Sequence, residues 1–330
     1  MVSLTPKEYP GIDLLKYIMA LAVVTIHLHA LNLNIELPVM VTWFIRSAVP
    51  FFFVVSGFFI GRKMTGLNDF GQSRQYLRKR SKHLFKMFAI WLIIYLPLSI
   101  YFYCLNDIPI SKSILLYAKS VIFAGESPYA WPLWFIYSLA IVSFLLSLSN
   151  RKAYLLTLLF LSFIAYISTN PLMEYGFMPH RLVMMVRLLF GRSFGGGIYI
   201  LTGIYLYRNY HKFSKTPWLY SLSLIAFGAV LSYLRLPFFE FVSGLGFAIL
   251  AFNIHFKAAS LWRNLRNQSM WIYYTHMYII VLLKLAYPNM TETLFLLYVG
   301  QSFLLCMALG YILNRIQKVP SCSKIETLIH

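Results

Sequence analysis

Ten long apolar stretches, separated by charged or turn-forming residues, govern what this chain can fold into. They run at roughly 12–32, 40–61, 84–104, 131–149, 152–170, 193–208, 217–234, 239–256, 270–287 and 293–314. A helix needs about 20 apolar residues to cross some 30 Å of hydrocarbon. Most of these stretches approach that length; 193–208 is short and glycine-rich, and 152–170 follows its predecessor after only a tight turn. Charged residues make up only 12% of the chain and hydrophobic residues 59%, whereas a soluble domain carries about a quarter charged residues. The expectation is an all-α integral membrane protein of about ten transmembrane helices. Residues 1–330 form one transmembrane domain on this reading, with no room for a separate soluble one. The first stretch is read as a retained span, not a signal peptide. It is long, contains Lys16 and His27, and lacks a small-residue cleavage site.

Charge placement orients the spans. Basic residues collect in alternate connections: Lys7; then Arg62, Lys63, Arg74, Arg78, Lys79, Arg80 and Lys82; Arg151 and Lys152; Arg208, Lys212 and Lys215; Lys257, Arg263 and Arg266; and Arg315, Lys318 and Lys324. The opposite connections hold Glu36, Asp107, Glu126, Glu174 and Glu292, with few basic residues except around 181–192. The positive-inside rule then predicts that both termini are cytoplasmic. On this reading the net charge of +19 is mainly a topology signal and nucleic acid is not a partner. Cys104, Cys306 and Cys322 form no CxxC pair, so neither a disulfide framework nor a metal site is expected.

Two connections, 105–130 and 171–192, are longer than ordinary loops, and such loops tend to be functional or disordered. The first is rich in apolar and aromatic residues; it either re-enters the membrane or lies on it as an interfacial helix. The paired inverted halves of many secondary transporters are not evident.

Ionisable residues inside apolar spans are costly and mark candidate sites. His27 lies in the first span, eleven residues after Lys16. At 100° per residue the two share nearly one helix face, roughly 16 Å apart along the axis, and Asp13 lies one turn before Lys16. A neutral imidazole can accept a proton near neutral pH, so His27 is the leading candidate base. A hydrogen bond to a neighbouring helix is its bland alternative. Arg46 falls near the outer end of the second span, one turn before Pro50, and either meets a substrate or snorkels to the interface. Ser56 and Gly57 permit close helix approach. The stretch YLRKRSKHLFKMF, residues 76–88, brings Arg78, Arg80, Lys82 and His83 to the inner mouth of the third span. Guanidinium groups suit phosphates, so these residues clamp a phosphorylated donor, bind anionic lipid or simply fix orientation. The glycine run in GRSFGGG allows helix packing or close approach to a ligand, and Arg192 adds a charge there. His276 lies about two turns into the ninth span.

In order along the chain, these motifs resemble the membrane-bound acyltransferase-3 family over most of its length. The family's first span carries a basic residue, ten residues, then histidine, as in GIDLLKYIMALAVVTIH. VPFFFVVSGFFI at residues 49–60, the basic entry to the third span with LWF at 133–135, and SMWIYYTH at 269–276 resemble its later signatures. RSAVPFFF and SMWIYYTH are also similar to the membrane domain of vancomycin-resistance serine racemases, whose racemase half is absent here. Two departures stand out: Lys16 replaces the commoner arginine, and His83 stands where many relatives have a second arginine.

The resemblance implies transfer of an acyl group, usually acetyl, from a cytosolic thioester donor to a carbohydrate hydroxyl at or beyond the outer face. The family's essential histidine maps to His27, with Lys16 beside it. Acetyl-CoA would be held by Arg78, Arg80, Lys82 and His83, and the acceptor by Arg46, Arg192 and His276. The implied location is a bacterial plasma membrane, with lipids as neighbours and an oligomer allowed for. A transporter or exporter of a small polar solute or glycolipid is the alternative, since buried charges in many spans suit that equally.

Overall fold

A computed structural model describes residues 9–32, 35–67, 69–168, 192–210, 217–257, 260–287 and 292–317. These residues are overwhelmingly helical, with no strand among them. Among the described residues twelve α-helices follow in order: α1 (Pro10–Ala30), α2 (Val39–Arg46), α3 (Ala48–Thr65), α4 (Phe70–Leu105), α5 (Ile110–Lys119), α6 (Trp134–Leu146), α7 (Lys152–Ser168), α8 (Arg192–Arg208), α9 (Pro217–Tyr233), α10 (Phe239–Asn253), α11 (Ser260–Ala286) and α12 (Glu292–Gln317). Every apolar stretch of the sequence carries helix. Among the described residues, four segments are long and apolar enough to cross a membrane: Pro10–Ala30, Val39–Thr65, Phe70–Leu105 and Leu294–Ile316. Large apolar side chains face outward, among them Leu296 at 78% and Ile93 at 70% exposed. Apolar surface this extensive belongs against lipid, and the chain is a membrane protein.

Local sequence explains the boundaries. Pro10 opens α1, where its missing N–H costs nothing, and Asp13 sits in the first turn, favoured by the helix dipole. The second apolar stretch, read as one span, is one candidate span over Val39–Thr65, with a turn at Ser47, whose Oγ donates to the Trp43 carbonyl at 2.7 Å. Pro50, three residues on, has no N–H for the Arg46 carbonyl. The basic connection at 62–82, a loop by its sequence, is helical to Thr65 and again from Phe70 onward, where Asp69 caps α4 by accepting from the Gln72 N–H at 2.8 Å. The charged turns continue into the apolar part without a break, and hydropathy alone does not register them. The long connection after α4 contains α5, with Ile110, Ile114 and Leu115 strongly exposed; a wider π-helical turn at Ser120–Ala124 continues it and ends at Gly125 in the left-handed region. The other long connection, 171–192, lies outside the described residues except for Arg192.

The chain divides into two compact units, the described residues of Met1–Val55 with Asn209–Thr327, and those of Ser56–Arg208. In the first, α1 packs on α10 and α11, α11 on α12, and α9 on α2 and α10. Its core includes Met19, Val24, Phe51, Phe252, Ile272 and Tyr298. In the second, α4 packs on α6, and α8 on α6 and α7. Gly57 and Gly61 of α3 lie against Ile200 and Ile204 of α8 so closely that a Cβ on Gly57 would overlap the Ile200 backbone. Small residues four apart let two helix backbones approach; at Gly57 the sequence motif serves packing.

Candidate functional site

Within the first unit, α1 and α11 run parallel, joined at three levels. At one end Arg266 Nη1 lies 3.6 Å from Asp13 Oδ2. At the other, the Lys284 ammonium donates to the Leu31 carbonyl, which follows α1 directly, and lies 3.4 Å from Asn32 Oδ1. A cation at the C-terminal end of a helix meets its unpaired carbonyls and the negative end of its dipole. Asp13 to Leu31 and Arg266 to Lys284 are both steps of eighteen residues, about 27 Å of helix, so the two ties hold one register.

Between these ties, the rings of His27 and His276 meet with centroids 5.2 Å apart and planes inclined by 33°. His27 is half-buried and His276 is fully buried. His276 Nδ1 lies 3.0 Å from the Ile272 carbonyl one turn back. A carbonyl only accepts, so Nδ1 carries the proton and Nε2 presents a lone pair. That Nε2 is buried without a hydrogen-bond partner. The Tyr273 ring is 6.4 Å away, and Thr275 turns its hydroxyl back to Trp271 at 2.8 Å. Lys16 is half-buried on the same uninterrupted helix as His27, about 16 Å along its axis. His29 points elsewhere, donating from Nε2 to the Ile35 carbonyl at 2.8 Å.

The structure therefore brings together His27 and His276, two residues singled out separately in the sequence, although 249 positions separate them. Arg46 has a different neighbourhood. It forms an ion pair with Glu240 and lies 5.4 Å over the Phe239 ring, while Trp43 Nε1 donates to Ser243 Oγ at 2.6 Å. Glu240 and Lys284 were missed as partners in the sequence. Both are ionisable residues within apolar stretches, and that is the signal that could have found them. Arg192 opens α8, and its side chain lies outside the described residues.

In the second unit the basic residues of α4 divide by direction. Arg78 and Lys82, four apart, are exposed, whereas Arg80 and His83, three apart, are half-buried. Ser81 Oγ donates to the Ala140 carbonyl at 2.8 Å and fastens α4 to α6 at this level. Arg80 Nε is buried with no hydrogen-bond partner. A guanidinium N–H shielded from water and without an acceptor is a fitting place for a phosphate or carboxylate oxygen. No group of three or more His, Cys, Asp or Glu that could hold a metal ion occurs among the described residues.

The acyltransferase-3 sequence profile, described as an acyltransferase domain, matches residues 9–315. The chain belongs to the acyltransferase-3 family. The match spans α1 to within two residues of the end of α12, and so takes in His27, His276 and the basic turns of α4. The chain is also similar to a serine/alanine racemase of Enterococcus gallinarum, at 25% identity over 292 residues. That alignment covers 82% of this chain but 40% of the racemase, so the chain spans less than half the length of this relative. No solved structure matches.

Proposed function

We propose that this protein is an O-acyltransferase moving an acyl group, acetyl in the simplest case, from cytosolic acyl-CoA to a hydroxyl of a cell-surface carbohydrate or lipid-linked sugar. The observation carrying this reading is the contact of His27 with a fully buried second histidine, in a chain whose family transfers acyl groups. His27 acts on the reacting groups, as base toward the hydroxyl or as relay for the acyl group. Lys16, on the same helix face, orients the donor. The chain as a whole, 1–330, acts as one acyltransferase domain of about ten spans with both termini in the cytoplasm of a bacterial cell. Acyl-CoA supplies an activated thioester carbonyl. Its phosphates suit Arg80, whose buried Nε lacks an acceptor, with His83 beside it and Arg78 and Lys82 contributing charge from the exposed face. On the acceptor side, Arg46 and Arg192 are the candidate contacts, Arg46 through whatever donors its pair with Glu240 leaves over.

The test is thiol release from acetyl-CoA by membranes carrying the protein or its His27→Ala variant. Loss of a general base or nucleophile costs roughly 10²–10⁴-fold, so the variant should fall by at least about 100-fold while remaining folded in the membrane. Unchanged turnover would remove His27 from the chemistry. Solute uptake without any thioester consumption would turn the assignment to a transporter.

A further inference from the structure

Beside His27, His276 presents a buried side-chain acceptor that has no hydrogen-bond partner among the described residues. Its Nδ1 proton is committed to the Ile272 carbonyl, which fixes the tautomer, and its Nε2 lone pair has no partner in a side chain with no exposed surface. A buried acceptor left unpaired costs about 1–3 kcal/mol, and neutral imidazole cannot relieve this by turning over, because the opposite edge would then face the lost Ile272 bond. A hydrogen-bond donor brought in from outside the chain does relieve it. The donor that acyl transfer requires at this point is a hydroxyl.

We propose that His276 is the catalytic base, receiving the acceptor's hydroxyl proton on Nε2, and that His27 carries the acyl group. This rests on the acyltransferase reading above and divides its two histidine roles. In the first step a His27 ring nitrogen attacks the thioester carbonyl. A C–N bond forms, the C–S bond breaks, and the proton shed by His27 goes to the departing thiolate. In the second, the acceptor oxygen attacks the acyl carbonyl while its proton moves to His276 Nε2. A C–O bond forms and the C–N bond breaks. The proton then passes from His276 to the released nitrogen of His27, which restores both neutral imidazoles. Ring contact at 5.2 Å places the two bases as near neighbours for that return, and the ties at Asp13–Arg266 and Leu31–Lys284 hold their helices in one register.

The experiment uses the full chain, purified in lipid nanodiscs, with acetyl-CoA labelled in the acetyl group. Thiol release and protein-bound label are followed first without acceptor and then after a chase with a glycan and glycolipid extract of the producing cell. Wild type should take up about one equivalent of label and discharge it on the chase. His276→Asn keeps a donor for Ile272 but no acceptor at Nε2; it should load normally and discharge at least about 100-fold more slowly. His276→Gln places a non-basic acceptor near the Nε2 position and should also fail to discharge. His27→Ala should never load. Discharge at the wild-type rate by either His276 variant overturns the proposal, as does a His276→Asn variant that does not load although it migrates as folded protein in size-exclusion chromatography. Transfer by wild type with no protein-bound label overturns the relay while leaving the acyltransferase reading intact. Absence of any thiol release from wild type overturns both.

Discussion

His27 and His276 lie in ring contact on two parallel helices, and the contact is bracketed by two polar ties that are eighteen residues apart on each helix. The ties differ in character. Lys284 reaches the Leu31 carbonyl just past the end of α1, where carbonyls lack a helical partner, whereas Arg266 meets Asp13 from a side chain that is 45% exposed. Asp13 is 9% exposed, so Arg266→Gln takes this guanidinium from a largely buried carboxylate, a loss of about 1–2 kcal/mol once the exposure of Arg266 is allowed for. Removing a charged donor from buried or half-buried acceptors costs about 1–3 kcal/mol. Lys284→Met and Arg266→Gln should therefore both lower the thermal midpoint in detergent. At about 27 Å apart their effects should add within about 0.5 kcal/mol. An unchanged midpoint in either variant would show that its tie does not hold α1 to α11.

The Arg46–Glu240 pair makes a second prediction. Glu240 is 20% exposed and Arg46 44% exposed, so Arg46→Gln leaves a mostly buried carboxylate without this guanidinium. Breaking a fully buried pair costs about 3–5 kcal/mol; partial exposure of Arg46 brings the expectation down to about 1–2 kcal/mol. The double variant Arg46→Gln with Glu240→Gln should be more stable than Arg46→Gln alone, because the buried charge goes as well. A double variant showing the simple sum of the single losses would mean that the two side chains do not interact. If Arg46 also contacts the acceptor, the double variant regains stability without regaining activity.

The helices were legible in the sequence because each apolar run is long enough to declare itself without any knowledge of its partners. The motif of Ser56 and Gly57 could be read as a packing device for the same reason, since Gly57 lacks the Cβ that would meet Ile200. The basic turns of α4 were not legible as helix. They are too polar for a hydropathy window, and only the Asp69 cap marks where the helix begins. The contact of His27 with His276 was beyond reach as well. Each histidine could be flagged as an ionisable group in an apolar span, but pairing two residues 249 positions apart requires the packing of α1 on α11. The partners of Arg46 and Asp13 were hidden for the same reason.

Glycine positions separate packing from propensity. A methyl group on Gly57 would meet the backbone of Ile200, which cannot move aside as a side-chain tip can. Gly300, on α12, has no atom within 4 Å of the place its Cβ would occupy. Overpacking costs about 1–3 kcal/mol, whereas replacing an open helical glycine by alanine gains up to about 1 kcal/mol. Gly57→Ala should lower the thermal midpoint and Gly300→Ala should hold or raise it. The same sign for both variants would refute the close crossing of α3 and α8.

Arg80 and Arg78 lie two residues apart on α4 and face differently, which allows the donor-binding assignment to be tested within one helix. Arg80 has a buried Nε with no hydrogen-bond partner; Arg78 is exposed. A hydrogen bond to a charged group contributes about 1.5–3 kcal/mol, and an exposed charge at the rim contributes little once salt screens it. Arg80→Met should raise the KM for acetyl-CoA by about tenfold or more and leave kcat nearly unchanged, the pattern expected when binding is lost equally from ground and transition states. Arg78→Met should stay within about twofold of wild type at 0.15 M salt, where the screening length is about 8 Å. Initial rates against acetyl-CoA concentration decide this. Equal KM increases for both variants would replace a specific phosphate contact with a diffuse electrostatic attraction, and an unchanged KM in Arg80→Met would remove α4 from donor binding.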